Sequence, residues 1–225
     1  MTLVFLTAVL GTLILAPSPA SAVPISGSNG LNGLGSFTGT FDYTAINDTS
    51  GTVDISLSNT SPLANGGYLT AFVFNIPLPG DVTAAPLTSS DADFDEVGGP
   101  AFDDSVNGAP FGNFDIGAST GNGFEGGGSP AFGIAAGSMG TFSFALTGTG
   151  LGGLTALDFL STLSVPPGAG EGVQSFVVRF RGFEDEGSDK VPADFGTPIP
   201  EPGTVLLLSL GLASLSARRL RSCRP

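Results

Sequence analysis

The sequence contains no histidine, no tryptophan and a single cysteine, and only seven of its 225 residues are basic. Each shortage closes a class of function. Without histidine, neither a Ser-His-Asp nor a Cys-His hydrolase device can be assembled, and zinc sites of clustered Cys and His are excluded. Cys223 alone permits no intramolecular disulfide, so the fold must rest on its sheet core or on bound ions. The absence of tryptophan, with only two tyrosines, leaves little for a sugar-stacking platform. The shortage of charge is one-sided. From Val23 to Pro200 there are 19 acidic residues against three basic ones (Arg179, Arg181 and Lys190), leaving 16 net negative charges. Such a field repels phosphate backbones and excludes nucleic acid as a partner.

What is abundant is glycine (35), phenylalanine (18) and proline (17). Glycine and proline at this density favour turns and disfavour long helices. Between the turns lie short runs of period-two alternation. In "TVDISLSN", Val53, Ile55 and Leu57 face one way and Asp54, Ser56 and Ser58 the other. "GTFDYTAI" places Phe41, Tyr43 and Ala45 inward, with Asp42 and Thr44 outward. "YLTAFVFNIP" puts Tyr68, Phe72, Phe74 and Ile76 on one face, opposite Ala71, Val73 and Asn75. "TFSFALT" sets Phe142, Phe144 and Leu146 against Thr141, Ser143 and Thr147. "SFVVRFRGF" turns Phe176, Val178 and Phe180 inward and Val177, Arg179 and Arg181 outward. The pattern predicts an all-β fold, an antiparallel β-sandwich of jelly-roll-like type over residues 36–191. One helix is predicted in "LTALDFLSTL", where Leu154, Leu157, Leu160 and Leu163 recur at spacing three.

The ends differ from the body. Residues 1–22 hold an apolar run from Leu3 to Ala16, then Pro17-Ser18-Pro19 and the small residues Ala20-Ser21-Ala22. This is the pattern of a secretory signal helix with cleavage after Ala22. No Lys or Arg precedes the run, as a start codon further upstream would produce. Residues 23–35 read as a Gly/Asn/Ser-rich leader and 192–199 as a linker. Residues 203–217 carry no charge. As a helix they span about 22 Å, and snorkelling arginines extend this towards a membrane-crossing length. Arg218, Arg219, Arg221 and Arg224 then supply the positive charge that stays cytoplasmic, leaving the body outside.

Pro200-Glu201-Pro202, the apolar segment and the arginine-rich terminus together resemble the PEP-CTERM sorting signal over residues 200–225. The resemblance implies an exopolysaccharide-producing Gram-negative bacterium. It also implies transient residence in the inner membrane and processing by an exosortase, a membrane-embedded cysteine transpeptidase-like enzyme. The destination is then the cell surface or matrix. The two prolines keep the motif extended and Glu201 supplies a charge to read. The body, through "TVDISLSNTS", "GGYLTAFVFNIP", "GTFSFALTGTG" and "SFVVRFRGF", also resembles an extracellular module that recurs with this signal and has no assigned activity.

Candidate chemistry in the body is sparse. Asp91, Asp93, Asp95 and Glu96 in "DADFDE", followed by Asp103 and Asp104, offer hard oxygens for Ca²⁺, or form an exposed acidic loop. Residue 96 is Glu where an EF-hand needs Gly, and residue 102 is Phe where it needs Glu. Glu184-Asp185-Glu186 with Asp189 is a second candidate, or is neutralised by Arg179, Arg181 and Lys190. "GNGFEGGG" lacks the lysine of a phosphate loop and reads as a mobile turn. The expectation is a non-enzymatic, structural or adhesive envelope protein with no cofactor. The alternative is a Ca²⁺-dependent module that binds exopolysaccharide.

Overall fold

The computed structural model describes residues 22–28, 30–78, 81–99, 101–166, 170–184 and 187–197. The predicted signal helix, the segment 203–217 and the sorting tripeptide lie outside the described residues. The strands in chain order are β1 (Val23–Gly27), β2 (Phe37–Asn47), β3 (Ser50–Asn59), β4 (Gly66–Phe74), β5 (Val82–Ala84) and β6 (Leu87–Ser89). They continue with β7 (Asp95–Gly98), β8 (Val106–Asn107), β9 (Asn113–Phe114), β10 (Ile116–Ser119) and β11 (Ile134–Ala135). The last are β12 (Met139–Gly148), β13 (Phe176–Phe183), β14 (Ser188–Pro192) and β15 (Asp194–Phe195). All pairings among them are antiparallel.

Two sheets face each other. The first has the order β15-β1-β2-β3-β12-β5, with β6 also on β12; the second runs β14-β13-β4-β10-β7, with β11 on β4. Their inner faces meet in a phenylalanine core. Phe72 stacks on Phe176 with ring centroids 5.7 Å apart and meets Phe142 edge-on at 4.7 Å. Phe41 and Phe144 of the first sheet meet Phe74 of the second at 5.5 and 5.3 Å. Edge-to-face pairs of this kind add to the area they bury.

The alternation holds where one face is wet. Val53, Ile55, Leu57, Phe142, Phe144 and Leu146 are all buried, as their period predicts. It slips in β4. Arg179 pairs with Ala71 and Phe180 with Leu69, so Thr70 is an extra residue, a bulge. The bulge shifts the phase by one. Leu69 therefore joins Phe72 and Phe74 in the core, and Tyr68 does not.

The outward face of the second sheet is covered as well. Ala71, Val73 and Val177 pack with Val97, Val106, Phe111, Phe114 and Phe124 in a second, smaller core. Val177, read as outward, is fully buried there.

The helix is shorter than its leucine spacing suggests. α1 covers Ala156–Ser161, and its buried face is Ala156, Phe159 and Leu160, the i, i+3, i+4 set. Leu157 and Leu163 are exposed, because a spacing of three drifts off a 3.6-residue turn. Phe159 closes the core against Tyr43 and Phe41 at 5.0 and 5.7 Å.

The sheet also reaches into both segments read as leader and linker. β1 begins at Val23 and pairs with β2, while β15 lies within 192–199 and pairs with β1. The alternation of Val23, Ile25 and Gly27, all buried, fits them to a strand that glycine-rich neighbours obscured. Gly196 N donates to Pro24 O at 2.9 Å, so the chain enters and leaves the sandwich side by side.

Candidate functional site

Three of the body's features carry charge or hydroxyls in a defined arrangement: a cation clamp, an acidic turn and a hydroxyl-covered sheet face.

The clamp gathers every basic residue of the body on one loop. Outward alternation on β13 puts Arg179 and Arg181 on the same face, and β14 brings Lys190 opposite Arg179. Arg179 Nη1 donates to Phe124 O and to Glu125 Oε2, both at 3.0 Å, and Arg181 Nη1 donates to Gly127 O at 2.9 Å. Lys190 Nζ bonds Glu125 Oε1 and Ala109 O and lies 5.7 Å from the centre of the Phe124 ring. Burial pulls the Arg179 guanidinium below its ordinary range; Glu125 opposes this and Arg181 adds to it. The glycine-rich stretch read as a mobile turn is thus tied down at three points. Phe124 is its apolar anchor, 1% exposed.

The acidic turn does not gather its carboxylates. Asp91 Oδ1 accepts from Asp93 N at 3.0 Å and Asp91 N donates to Ser89 Oγ, a local Asx turn. Phe94 plugs the core beside Phe142, at 5.0 Å. Asp95 and Glu96 follow on β7 as neighbours that alternate across the strand. Glu96 Oε2 accepts from Leu87 N at 3.2 Å, and burial raises its pKa against that bond. Among the described residues, no three of His, Cys, Asp and Glu come together as a metal group. An open groove of about 640 Å³ separates Asp95 and Glu96 from Asn122 and Glu125.

Two further carboxylates are buried, which the sequence did not announce. Asp189, grouped there with Glu184, is 1% exposed. Its Oδ2 accepts from Leu34 N at 2.8 Å and Gly35 N at 3.0 Å, and its Oδ1 from Asn32 N at 3.0 Å and Lys190 N at 2.9 Å. Gly30 allows this approach, since a Cβ there would lie 2.4 Å from Oδ1. The available signal was an aspartate two residues before Val191, on the inward phase of a strand. Asp115 accepts from Ile76 N at 2.8 Å and Asp104 N at 3.1 Å. Burial raises its pKa against those two bonds, and Asp104 and Asp103 add to the rise. Asp104 is raised in turn by burial and by Asp103.

The outer face of the first sheet is a carpet of short polar side chains in register. Thr40 stands opposite Ser56 and Ser56 opposite Thr141; Thr38 faces Ser58, and Thr44 faces Thr52. Thr40 Oγ1 and Ser56 Oγ are 2.8 Å apart. Asp42 faces Asp54 in the middle, and Ser143 and Thr88 continue that row. A shallow groove of about 510 Å³ runs over Thr40, Asp42, Asp54, Ser56, Thr141 and Ser143.

The described sandwich begins and ends side by side, at β1 and β15, and each end leads in sequence to an apolar segment outside the described residues. Residues 198–221 match the PEP-CTERM protein-sorting motif. The chain is therefore sorted through a PEP-CTERM signal: it is exported, held transiently in the membrane and presented to an exosortase. No curated protein matches the sequence. Pro200, Glu201, Pro202 and most of the arginine cluster fall within the matched span, and Arg224 follows it. These residues, with Ala20, lie outside the described part, while Ala22 immediately precedes β1.

Proposed function

We propose that the body is a non-enzymatic structural or adhesive module of the cell surface or extracellular matrix, delivered by its sorting tail and lodged among hydrated exopolysaccharide. The observation that carries this reading is the hydroxyl carpet on the outer face of β2, β3 and β12, with its groove of about 510 Å³. Flat rows of Thr and Ser offer many exchangeable donors and acceptors to a polyhydroxylated chain, each weak alone and additive along a polymer. The membership of the tail supports the destination. The test is co-sedimentation of the secreted protein with polysaccharide from its own cells. Retention that falls when Thr40, Ser56 and Thr141 are replaced together by valine supports the carpet as the contact. Equal retention of both forms refutes it.

The alternative, sugar binding through Ca²⁺ at Asp91, Asp93, Asp95 and Glu96, makes a different demand. Calcium would then raise the melting temperature by mass action, and a flat response up to millimolar calcium rejects it.

A further inference from the structure

The last stretch of the folded chain is held in two unequal stages. β14 is fixed to β13 over five register pairs and pinned by the buried Asp189, and Ala193 N donates to Phe176 O at 2.9 Å. Beyond Ala193 the described residues hold one further strand, β15. It makes two register pairs with β1, Ile25 with Phe195 and Ser26 with Asp194, followed by the bond from Gly196 N to Pro24 O. Both its residues are exposed and it is the outermost strand of its sheet. The matched sorting motif starts at residue 198, two residues after that last bond.

Chain length sets the consequence. With β15 docked, Pro200 lies within about 14 Å of Gly196, and Gly203, where the apolar segment starts, within about 25 Å. The body is then held close over the membrane. A cleaving enzyme that reads an extended chain on both sides of the cut meets residues 194–196 already paired in a sheet. Releasing β15 back to Ala193 lengthens the tether to Gly203 to about 36 Å and frees those residues. Release stops there, because the next residues belong to β14 and its aspartate.

We propose that β15 is a strap that positions the sorting motif for processing: docked, it withholds the residues upstream of the motif, and the enzyme engages only after it peels from β1. The proposal rests on the sorting assignment. Short, exposed terminal pairings open locally far more easily than the sheet behind them. Once the tail is gone the strap returns to β1 and covers an edge that would otherwise be free to pair with another chain.

The test locks the strap. Ser26→Cys with Asp194→Cys, both exposed and in register, joins β1 to β15 outside the cytoplasm, where disulfides persist; Cys223→Ser is present throughout to leave one possible pair. Processing of the full chain is followed in its own cells by pulse-chase and intact mass. The locked chain is expected to shorten about tenfold more slowly or worse, because the competent population is removed. Each single-cysteine chain keeps the rate of the parent. A spacer of about six Gly/Ser residues after Thr197, adding up to about 20 Å, restores processing of the locked chain. A locked chain shortened as fast as the parent overturns the strap alone. So does a locked chain that the spacer fails to rescue. A parent chain that is never shortened overturns the strap together with the sorting on which it rests.

Discussion

Replacing Asp189 by asparagine keeps the shape of the side chain and changes only what its atoms can accept. The carboxylate receives four backbone N–H groups, two on each oxygen. An amide has one acceptor oxygen, so whichever way it is seated two N–H donors confront an NH₂ group. Hydrogen bonds to a charged acceptor are worth about 1.5–3 kcal/mol each. Two lost bonds therefore cost about 3–6 kcal/mol before relaxation. Loop 30–35 is partly exposed and can turn its freed donors to water, which places the expected loss near the lower end, about 3 kcal/mol. In a domain of this size that corresponds to a melting temperature lower by about 6–12 °C. The assay is urea unfolding of the secreted protein, with Asp194→Asn as an exposed control that stays within about 0.5 kcal/mol of the parent. Gly30→Ala strikes the same bonds, since its Cβ would meet the carboxylate, so the double variant loses less than the two single losses summed. Asp189→Asn within about 0.5 kcal/mol of the parent, or strict additivity with Gly30→Ala, refutes the reasoning.

Other outcomes follow from single contacts. Glu125→Gln removes the negative charge that Arg179 and Lys190 share and one of the two oxygens that accept from them. Because Glu125 is itself half exposed, the expected loss is about 1 kcal/mol and shrinks in high salt, while amide exchange in residues 121–128 accelerates. Burial raises the pKa values of Asp115, Asp104 and Glu96 in the folded protein, so the native state holds those protons more tightly than the unfolded chain. The resulting penalty is full above the folded pKa values and is relieved as pH falls from those to the unfolded values, so acidification across that window should raise the melting temperature through these groups; Asp115→Asn should flatten that slope. Tyr43→Phe strands the Leu151 carbonyl that its hydroxyl reaches at 2.8 Å and should lose about 1–2 kcal/mol by urea titration. Asp54→Thr removes a like-charge pair facing Asp42 across β2 and β3 and should stabilise by up to about 1 kcal/mol, read as an upward shift in the urea midpoint.

How far the sequence could be read depended on how many faces of a strand are wet. β2, β3 and β12 bury one face only, and their alternation named the core residues correctly from Phe41 to Leu146. β4 and β13 are covered on both sides, so the period fixed a phase but not an exposure: Val177 was read as outward although it is buried, and Val73, set opposite the core face, is buried as well. Thr70 then displaced the phase itself; a bulge leaves no mark in composition. The leader and linker were misread for a related reason. Strands of five and two residues set among Gly and Pro have too few positions to show a period. The sorting tail was legible because its chemistry lies in consecutive residues and needs no tertiary partner. The clamp was illegible because it joins Glu125 to residues 54 and 65 positions away. A charge count showed that the body has three cations but could not say that one loop takes all of them.

That concentration has a colloidal consequence. Arg179, Arg181 and Lys190 are all turned onto residues 124–127 or Ala109, so the rest of the described exterior carries carboxylates with no basic side chain among them. Copies crowded into one layer repel one another over a Debye length, about 8 Å at physiological ionic strength. A layer of such copies would be expected to swell as a polyelectrolyte does, with a spacing that shrinks as salt is added.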